Sequence, residues 1–107
     1  MTAESQTWYG VRCVLHDAEV RAYEERVTIW RCADFDQAIA LAEDEIAQYA
    51  EGSTGLKYVG LAQAYRMDEG TPGAGSEVFS LIRNSDLEPD AYVKRFFDDG
   101  QERQGHL

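Results

Sequence analysis

The sequence contains few of the residues on which catalytic and metal sites usually depend. It has two cysteines, Cys13 and Cys32, and two histidines, His16 and His106, in 107 residues. A zinc site takes about four nitrogen or sulfur ligands at defined spacing, and no glycine-rich loop opens a helix as nucleotide-binding motifs require. No histidine or cysteine is placed for acid–base or nucleophilic work. We therefore expect no catalytic residue, no metal and no cofactor.

Basic residues are scarce as well. Ten lysines and arginines face twenty aspartates and glutamates, a formal net charge of −10. Nucleic acid and anionic membranes would repel such a chain, and no apolar run is long enough to span a bilayer. Residues 1–6 lack the apolar core of a signal peptide, so we expect a cytoplasmic protein. The acidity serves solubility or, as the alternative, provides a face for a basic protein partner.

The first half of the chain carries the patterns of a hairpin and a helix. Residues 8–16 and 23–32 both alternate apolar and polar side chains, which is typical of half-buried strands. The polar stretch between them predicts a turn. Asp34 is a typical helix N-cap with Gln37 three residues later, and the apolar stripe that follows ends at Gly52, a natural helix stop.

The second half repeats the order of strand, strand and helix. Residues 56–67 and 77–83 each have a strand pattern, and the Gly-, Pro- and Ser-rich segment 68–76 predicts a loop between them. Glu88 and Pro89 open a second helix, because proline is favoured at the first helical position.

These patterns predict an α+β fold with a four-stranded antiparallel sheet. The expected element order is β-β-α-β-β-α, with both helices packed on one face of the sheet. A single domain would cover residues 7–99, preceded by a disordered tail at 1–6 and followed by a flexible tail at 100–107.

The alternation also predicts which side chains face the helices. Val27 and Ile29 are expected to join Tyr9 and Val11 on the core face. The opposite, open face then mixes large aromatic residues and arginines with small residues such as Gly10, which let another backbone come close. This candidate interface or ligand face consists of Trp8, Arg12, Arg26, Thr28, Trp30, Tyr58 and Arg66.

Four short phrases of the sequence resemble those of a known family. They are Trp8-Tyr9-Gly10-Val11, Tyr23-Glu24-Glu25-Arg26-Val27, Phe35-Asp36-Gln37-Ala38-Ile39-Ala40 and Glu77-Val78-Phe79-Ser80. They are similar to the bacterial domain-of-unknown-function family 4288 over roughly residues 7–98. The resemblance implies a bacterial origin and marks Tyr23, Glu24 and Glu25 as a candidate polar motif. It implies no activity and no cofactor.

Two classes of function remain open at this point. The first is a non-catalytic protein-interaction module that self-associates as a homodimer or docks on a partner, as an immunity- or antitoxin-like protein does. The alternative is a binding protein or enzyme for a small anionic or aromatic ligand. In that case Arg12, Arg26 or Arg66 would hold the anion, and Trp8 or Trp30 would stack on a ring.

Overall fold

A three-stranded antiparallel sheet with one helix across it forms the body of the protein. The structure is a computed structural model that describes residues 6–68, 70–97 and 99–105. The elements are β1 (Thr7–Asp17), β2 (Ala22–Cys32), α1 (Phe35–Glu51), β3 (Leu56–Arg66) and α2 (Pro89–Phe96). The sheet order β2-β1-β3 places β1 in the centre, antiparallel to both neighbours.

Parts of the two predicted tails lie outside the described residues. These parts are residues 1–5 and residues 106–107, which include His106. Within the described ranges, neither helix has the length and apolar character needed to cross a membrane.

The β1–β2 turn fixes the register of the hairpin. Asp17 pairs with Ala22, which leaves a four-residue loop. The Asp17 carboxylate accepts hydrogen bonds from the backbone N–H groups of Glu19 (2.9 Å) and Val20 (3.3 Å), and Arg21 takes a positive φ of 56°. Aspartate commonly stabilises turns in this way. The loop length sets odd-numbered residues of β1 opposite even-numbered residues of β2.

The prediction that Val27 and Ile29 share a face with Tyr9 and Val11 is therefore wrong. Tyr9 lies opposite Trp30, and Val11 lies opposite Thr28; directly opposite residues share a face. Val27 and Ile29 lie on the other face, where they are 45 % and 38 % exposed. A shift of one residue in register moves every side chain to the opposite face. The length of the turn determines this register, and the alternation of apolar and polar residues in β2 does not reveal it.

Helix α1 begins and ends where the sequence predicts. The Asp34 side chain accepts from the backbone N–H of Gln37 at 2.8 Å, and the Gln37 side chain accepts from the N–H of Ala33 at 2.8 Å. The helix ends at Gly52. Its buried stripe packs on the sheet to form the core, which consists of Tyr9, Val11, Cys13, Leu15, Cys32, Ala38, Ala42, Ile46 and Leu56.

The predicted fourth strand does not form. The structure has three strands, and among the described residues no backbone–backbone hydrogen bond involves residues 77–83. One physical reason lies in β3, where the register shifts between Tyr58 and Ala62 and Gly60 takes a φ of 98°. A bulge disrupts the regular ladder that a further strand would need at this edge.

The second helix is present but does not pack beside the first. Helix α2 starts at Pro89 as predicted and has no buried residue. Its Tyr92 and Phe96 line a cavity together with Arg12 and Glu25, which project from the sheet face opposite α1. Both helices were expected on one face, and that expectation is wrong. Without a fourth strand at the sheet edge, the chain does not return to the α1 side.

Candidate functional site

The structure divides the predicted open face between the two sides of the sheet. Trp8 and Arg12 lie on the outer face, which is the face opposite α1. The other five residues lie opposite core residues of β1 and therefore on the α1 side. They are Arg26, Thr28, Trp30, Tyr58 and Arg66. The seven residues are not brought together, because the β1–β2 register turns the three β2 residues to the α1 side and the β1–β3 pairing does the same for Tyr58 and Arg66.

The Tyr23-Glu24-Glu25 phrase is divided in the same way. Tyr23 lies on the outer face and stacks on His16 with ring centroids 4.3 Å apart. Glu24 lies on the α1 side and accepts a hydrogen bond from the Tyr49 hydroxyl at 2.6 Å. Glu25 returns to the outer face and pairs with Arg12 at 2.6 Å. Each side chain therefore has a partner from a neighbouring element.

A polar cluster fastens α1 to the edge of the sheet at β2. The Arg26 guanidinium donates to both carboxylate oxygens of Glu45, at 2.7 and 3.2 Å, and lies 3.8 Å from the centre of the Tyr49 ring. The bond to Glu45 raises the pKa of Arg26, and the bond to Glu24 raises the pKa of Tyr49. Both shifts move the pKa further above 7, whereas an acid–base catalyst needs a pKa near the working pH. The cluster orients α1.

The buried thiols are poorly suited to nucleophilic chemistry. Cys13 and Cys32 are both free and buried. Both lie on the α1 side, Cys13 opposite Arg26 and Cys32 opposite Thr7. Burial raises the pKa of each thiol, and the reactive species is the thiolate. Burial likewise raises the pKa of Tyr58, whose hydroxyl donates to Glu43 at 2.6 Å.

Metal ligands do not converge in the part of the chain that the structure describes. No group of three or more His, Cys, Asp or Glu side chains there is placed to hold a metal ion.

A segment that follows β3 crosses the outer face of the sheet. We call residues 76–97 the C-terminal arm; it comprises an extended segment and α2. Its backbone passes so close to Gly10 that a Cβ atom there would lie 1.7 Å from the carbonyl oxygen of Val78. A glycine in a strand permits this approach.

Two side-chain contacts hold the arm near this crossing. The Tyr65 hydroxyl on β3 donates to the Glu77 carboxylate, and this bond raises the pKa of Tyr65 to about 12. The Arg12 guanidinium lies 6.0 Å from the centre of the Phe79 ring. Both contacts lie on the outer face, within one or two residues of the crossing.

A cavity of about 350 Å³ lies between the arm and the outer face. The Arg83 guanidinium lies 4.1 Å from the centre of the Phe96 ring and donates to the Tyr92 hydroxyl at 3.1 Å. The cavity is lined by Arg12, Glu25, Phe79, Ser80, Leu81, Arg83, Tyr92, Phe96 and Phe97.

The arm leaves much apolar surface in contact with solvent. Ile82 is 89 % exposed and Phe97 is 61 % exposed. The accessible surface of the chain is 8090 Å², whereas a folded monomer of its mass has about 6,000 Å². The radius of gyration is 16.1 Å, compared with about 13 Å for a compact domain of this length. The chain therefore has more exposed surface than a compact domain, and the docked arm contributes apolar side chains to it.

Sequence reasoning missed most of this surface. Phe79 and Arg83 are not among the predicted site residues because segment 77–83 is predicted as a strand of the sheet, and Tyr92 and Phe96 are not because their helix is predicted to pack beside α1. The one signal that did point here was Gly10, whose place in a strand among large side chains indicates a close backbone contact.

No protein-family model, curated protein or solved structure matches the chain. The resemblance to domain-of-unknown-function family 4288 stays a prediction.

Proposed function

We propose that the protein is a non-catalytic protein-interaction module that works as a homodimer. The interaction surface is formed by the outer sheet face and the C-terminal arm. The observation that carries the proposal is the apolar surface that the arm exposes, with Ile82 89 % exposed. Apolar patches of this kind usually mark an interaction site. The free thiols suit the reducing cytoplasm, where we propose that the protein acts.

The amount of exposed surface fits a second copy of the chain. Each chain has about 2,000 Å² more accessible surface than a compact monomer of its mass, and a stable interface takes about 600–1,000 Å² from each chain, or about 1,200–2,000 Å² in total. Two-fold pairing is the commonest arrangement among oligomers. A second copy can therefore cover part of this exposed surface without another partner.

The distribution of charge favours association on this side of the molecule. Helix α1, on the opposite side, carries five acids and no base. The outer sheet face carries three bases and one acid, which are Arg12, Arg31, Lys57 and Glu25. The arm has four acids and three bases. Joining outer faces thus keeps the acidic helices of two copies far apart, which limits their repulsion.

The test is the mass in solution by light scattering for the wild type and for Ile82→Arg. Because Ile82 is almost fully exposed in the single chain, its replacement should leave the fold of each protomer intact. We expect a wild-type dimer, and a dissociation constant raised at least about tenfold by the substitution, as for a residue at the centre of an interface.

The matched control is Ala40→Arg. Ala40 is exposed on α1, so this variant adds the same charge on the opposite side and should remain dimeric. A monomeric wild type would overturn the homodimer. A dimer disrupted by Ala40→Arg but not by Ile82→Arg would place the interface on the helix.

The cavity beneath the arm favours a second candidate, the binding of a small aromatic carboxylate. Among the described residues, Arg83 has no carboxylate partner; the Phe96 ring lies against its guanidinium, and Phe79 and Phe97 also line the cavity. A cavity of about 350 Å³ has the size of a small-ligand site.

Benzoate is a suitable probe for this candidate. We expect it to perturb the NMR resonances of Phe79 and Phe96 in the wild type, and to do so at least about tenfold more weakly in Arg83→Gln. If benzoate shifted these resonances equally in the wild type and in Arg83→Gln, the small-ligand candidate would be wrong.

A further inference from the structure

We propose that the homodimer forms by reciprocal arm exchange, so that the arm of each chain lies on the outer sheet face of its partner. This inference rests on the proposed homodimer and specifies how its two copies are joined. In the structure of the single chain, the arm occupies the outer face of its own sheet.

The arm's own binding site is available on any second copy of the chain. The contacts at the crossing are the close approach of Val78 to Gly10, the bond from Tyr65 to Glu77, and Phe79 beside Arg12. All three join the arm to the sheet body. Two identical chains can therefore make the same contacts between molecules that one chain makes within itself, which is the basis of domain swapping.

The connection between the sheet body and the arm permits the exchange. Residues 70–76 have the sequence Gly-Thr-Pro-Gly-Ala-Gly-Ser, and most of them are exposed. Among the described residues, the hydrogen bonds of this segment run from the Ser76 N–H to the Gly73 carbonyl and from the Gly73 N–H to the Ser76 hydroxyl, both within the segment itself. Redirecting this segment therefore breaks few contacts, and glycine adapts to a new path.

The docked arm also has apolar surface that the single chain leaves exposed. Leu81, Ile82 and Val93 stay exposed when the arm lies on its own sheet. In the exchanged dimer that we propose, both arms lie on the outer faces through which the two bodies meet, so these residues can pack against the partner chain. Exchange therefore preserves the contacts of the single chain and adds burial that the single chain lacks.

Isotope-filtered NMR on a mixed dimer tests the exchange directly. Uniformly ¹³C-labelled and unlabelled chains are unfolded and refolded together, and NOEs that connect labelled with unlabelled chains are recorded. The Tyr65 and Phe79 rings have centroids 6.3 Å apart, so their edges lie close enough for an NOE. We expect this NOE between chains.

A pair of hinge variants provides a matched control. Deleting residues 73–75 shortens the connection, which hinders the arm from turning back on its own body and should strengthen the exchanged dimer. Inserting three glycines after Gly73 should shift the population toward monomer with the NOE within one chain.

Each outcome separates the two proposals. A dimer in which the Tyr65–Phe79 NOE occurs only within a chain overturns arm exchange and leaves the proposed homodimer standing. A wild type that is monomeric, with the NOE within the chain, overturns both. A dimer with the NOE between chains, strengthened by the deletion and weakened by the insertion, supports both.

Discussion

The close approach at Gly10 determines where the arm crosses the sheet. Gly10→Val would place Cβ and two methyl groups where the Val78 carbonyl now lies. Because the arm can move away while the core cannot, we expect the docked arm to lose about 1–3 kcal/mol, the usual cost of overpacking. Trypsin cleavage after Arg83 should then accelerate about tenfold or more.

Gly52→Val is the matched control for this substitution. A Cβ at Gly52 would meet only the Tyr49 carbonyl oxygen at 3.5 Å, an ordinary contact away from the arm, so its cleavage rate should stay within about twofold of the wild type. Equal acceleration in both variants would mean that Gly10 does not hold the arm.

The Tyr65–Glu77 bond offers a second measurement at the residue scale. The bond to Glu77 raises the pKa of Tyr65 to about 12, above the usual value of about 10. Its contribution to arm docking is therefore fully present below about pH 10 and is lost as the pH rises through about 12. We expect Glu77→Gln to lower the Tyr65 pKa toward its usual value in an NMR titration. An unchanged pKa would contradict the contact.

At the scale of elements, the β1–β2 turn is expected to contribute measurably to stability. The Asp17 carboxylate accepts two backbone N–H groups and is 6 % exposed. Asp17→Ala should therefore lower the free energy of unfolding by about 1–3 kcal/mol, measured by urea denaturation. Asp44→Ala removes the same charge from an exposed position on α1 and should change stability by no more than about 0.5 kcal/mol. Similar losses would contradict the role of the turn.

Helix α1 offers a second pair, matched in residue type. Ile46 is fully buried in the core, whereas Ile39 is half-buried and lies outside the core cluster. Ile46→Ala should cost about 2–5 kcal/mol, and Ile39→Ala about 1 kcal/mol or less. The reverse order in urea denaturation would mean that the helix packs on the sheet with another face.

The elements differ in how far local sequence determines them. Helix α1 was predictable because Asp34, its apolar stripe and Gly52 are all local signals. The side of the sheet on which Val27 lies was not predictable, because the length of the β1–β2 turn decides it. The strand pattern of residues 77–83 is real, but a strand also needs an edge to pair with, and the bulge at Gly60 alters that edge. The residues of the predicted open face are divided between the two sides of the sheet for the same reason, because the registers of the β1–β2 and β1–β3 pairs decide their sides.

At the scale of the whole molecule, net charge should govern the strength of the dimer. Each chain carries −10, so two copies repel each other at low ionic strength, while the proposed contact is mainly apolar. Raising the salt from about 20 to 300 mM shortens the Debye length from roughly 20 Å to below 6 Å. Sedimentation equilibrium should then show a dissociation constant that falls by about tenfold or more.

A variant with a changed charge on α1, away from the proposed interface, shows whether repulsion between the two chains or ion pairs at the interface determine the salt dependence. Asp44→Lys lies on α1, away from the outer face, and reduces the negative charge of each chain by two. Since the repulsion grows with the product of the two charges, this variant should dimerise more tightly at low salt and respond less to added salt. If salt instead weakened the dimer, ion pairs across the interface would dominate, and the apolar arm would not be its main contact.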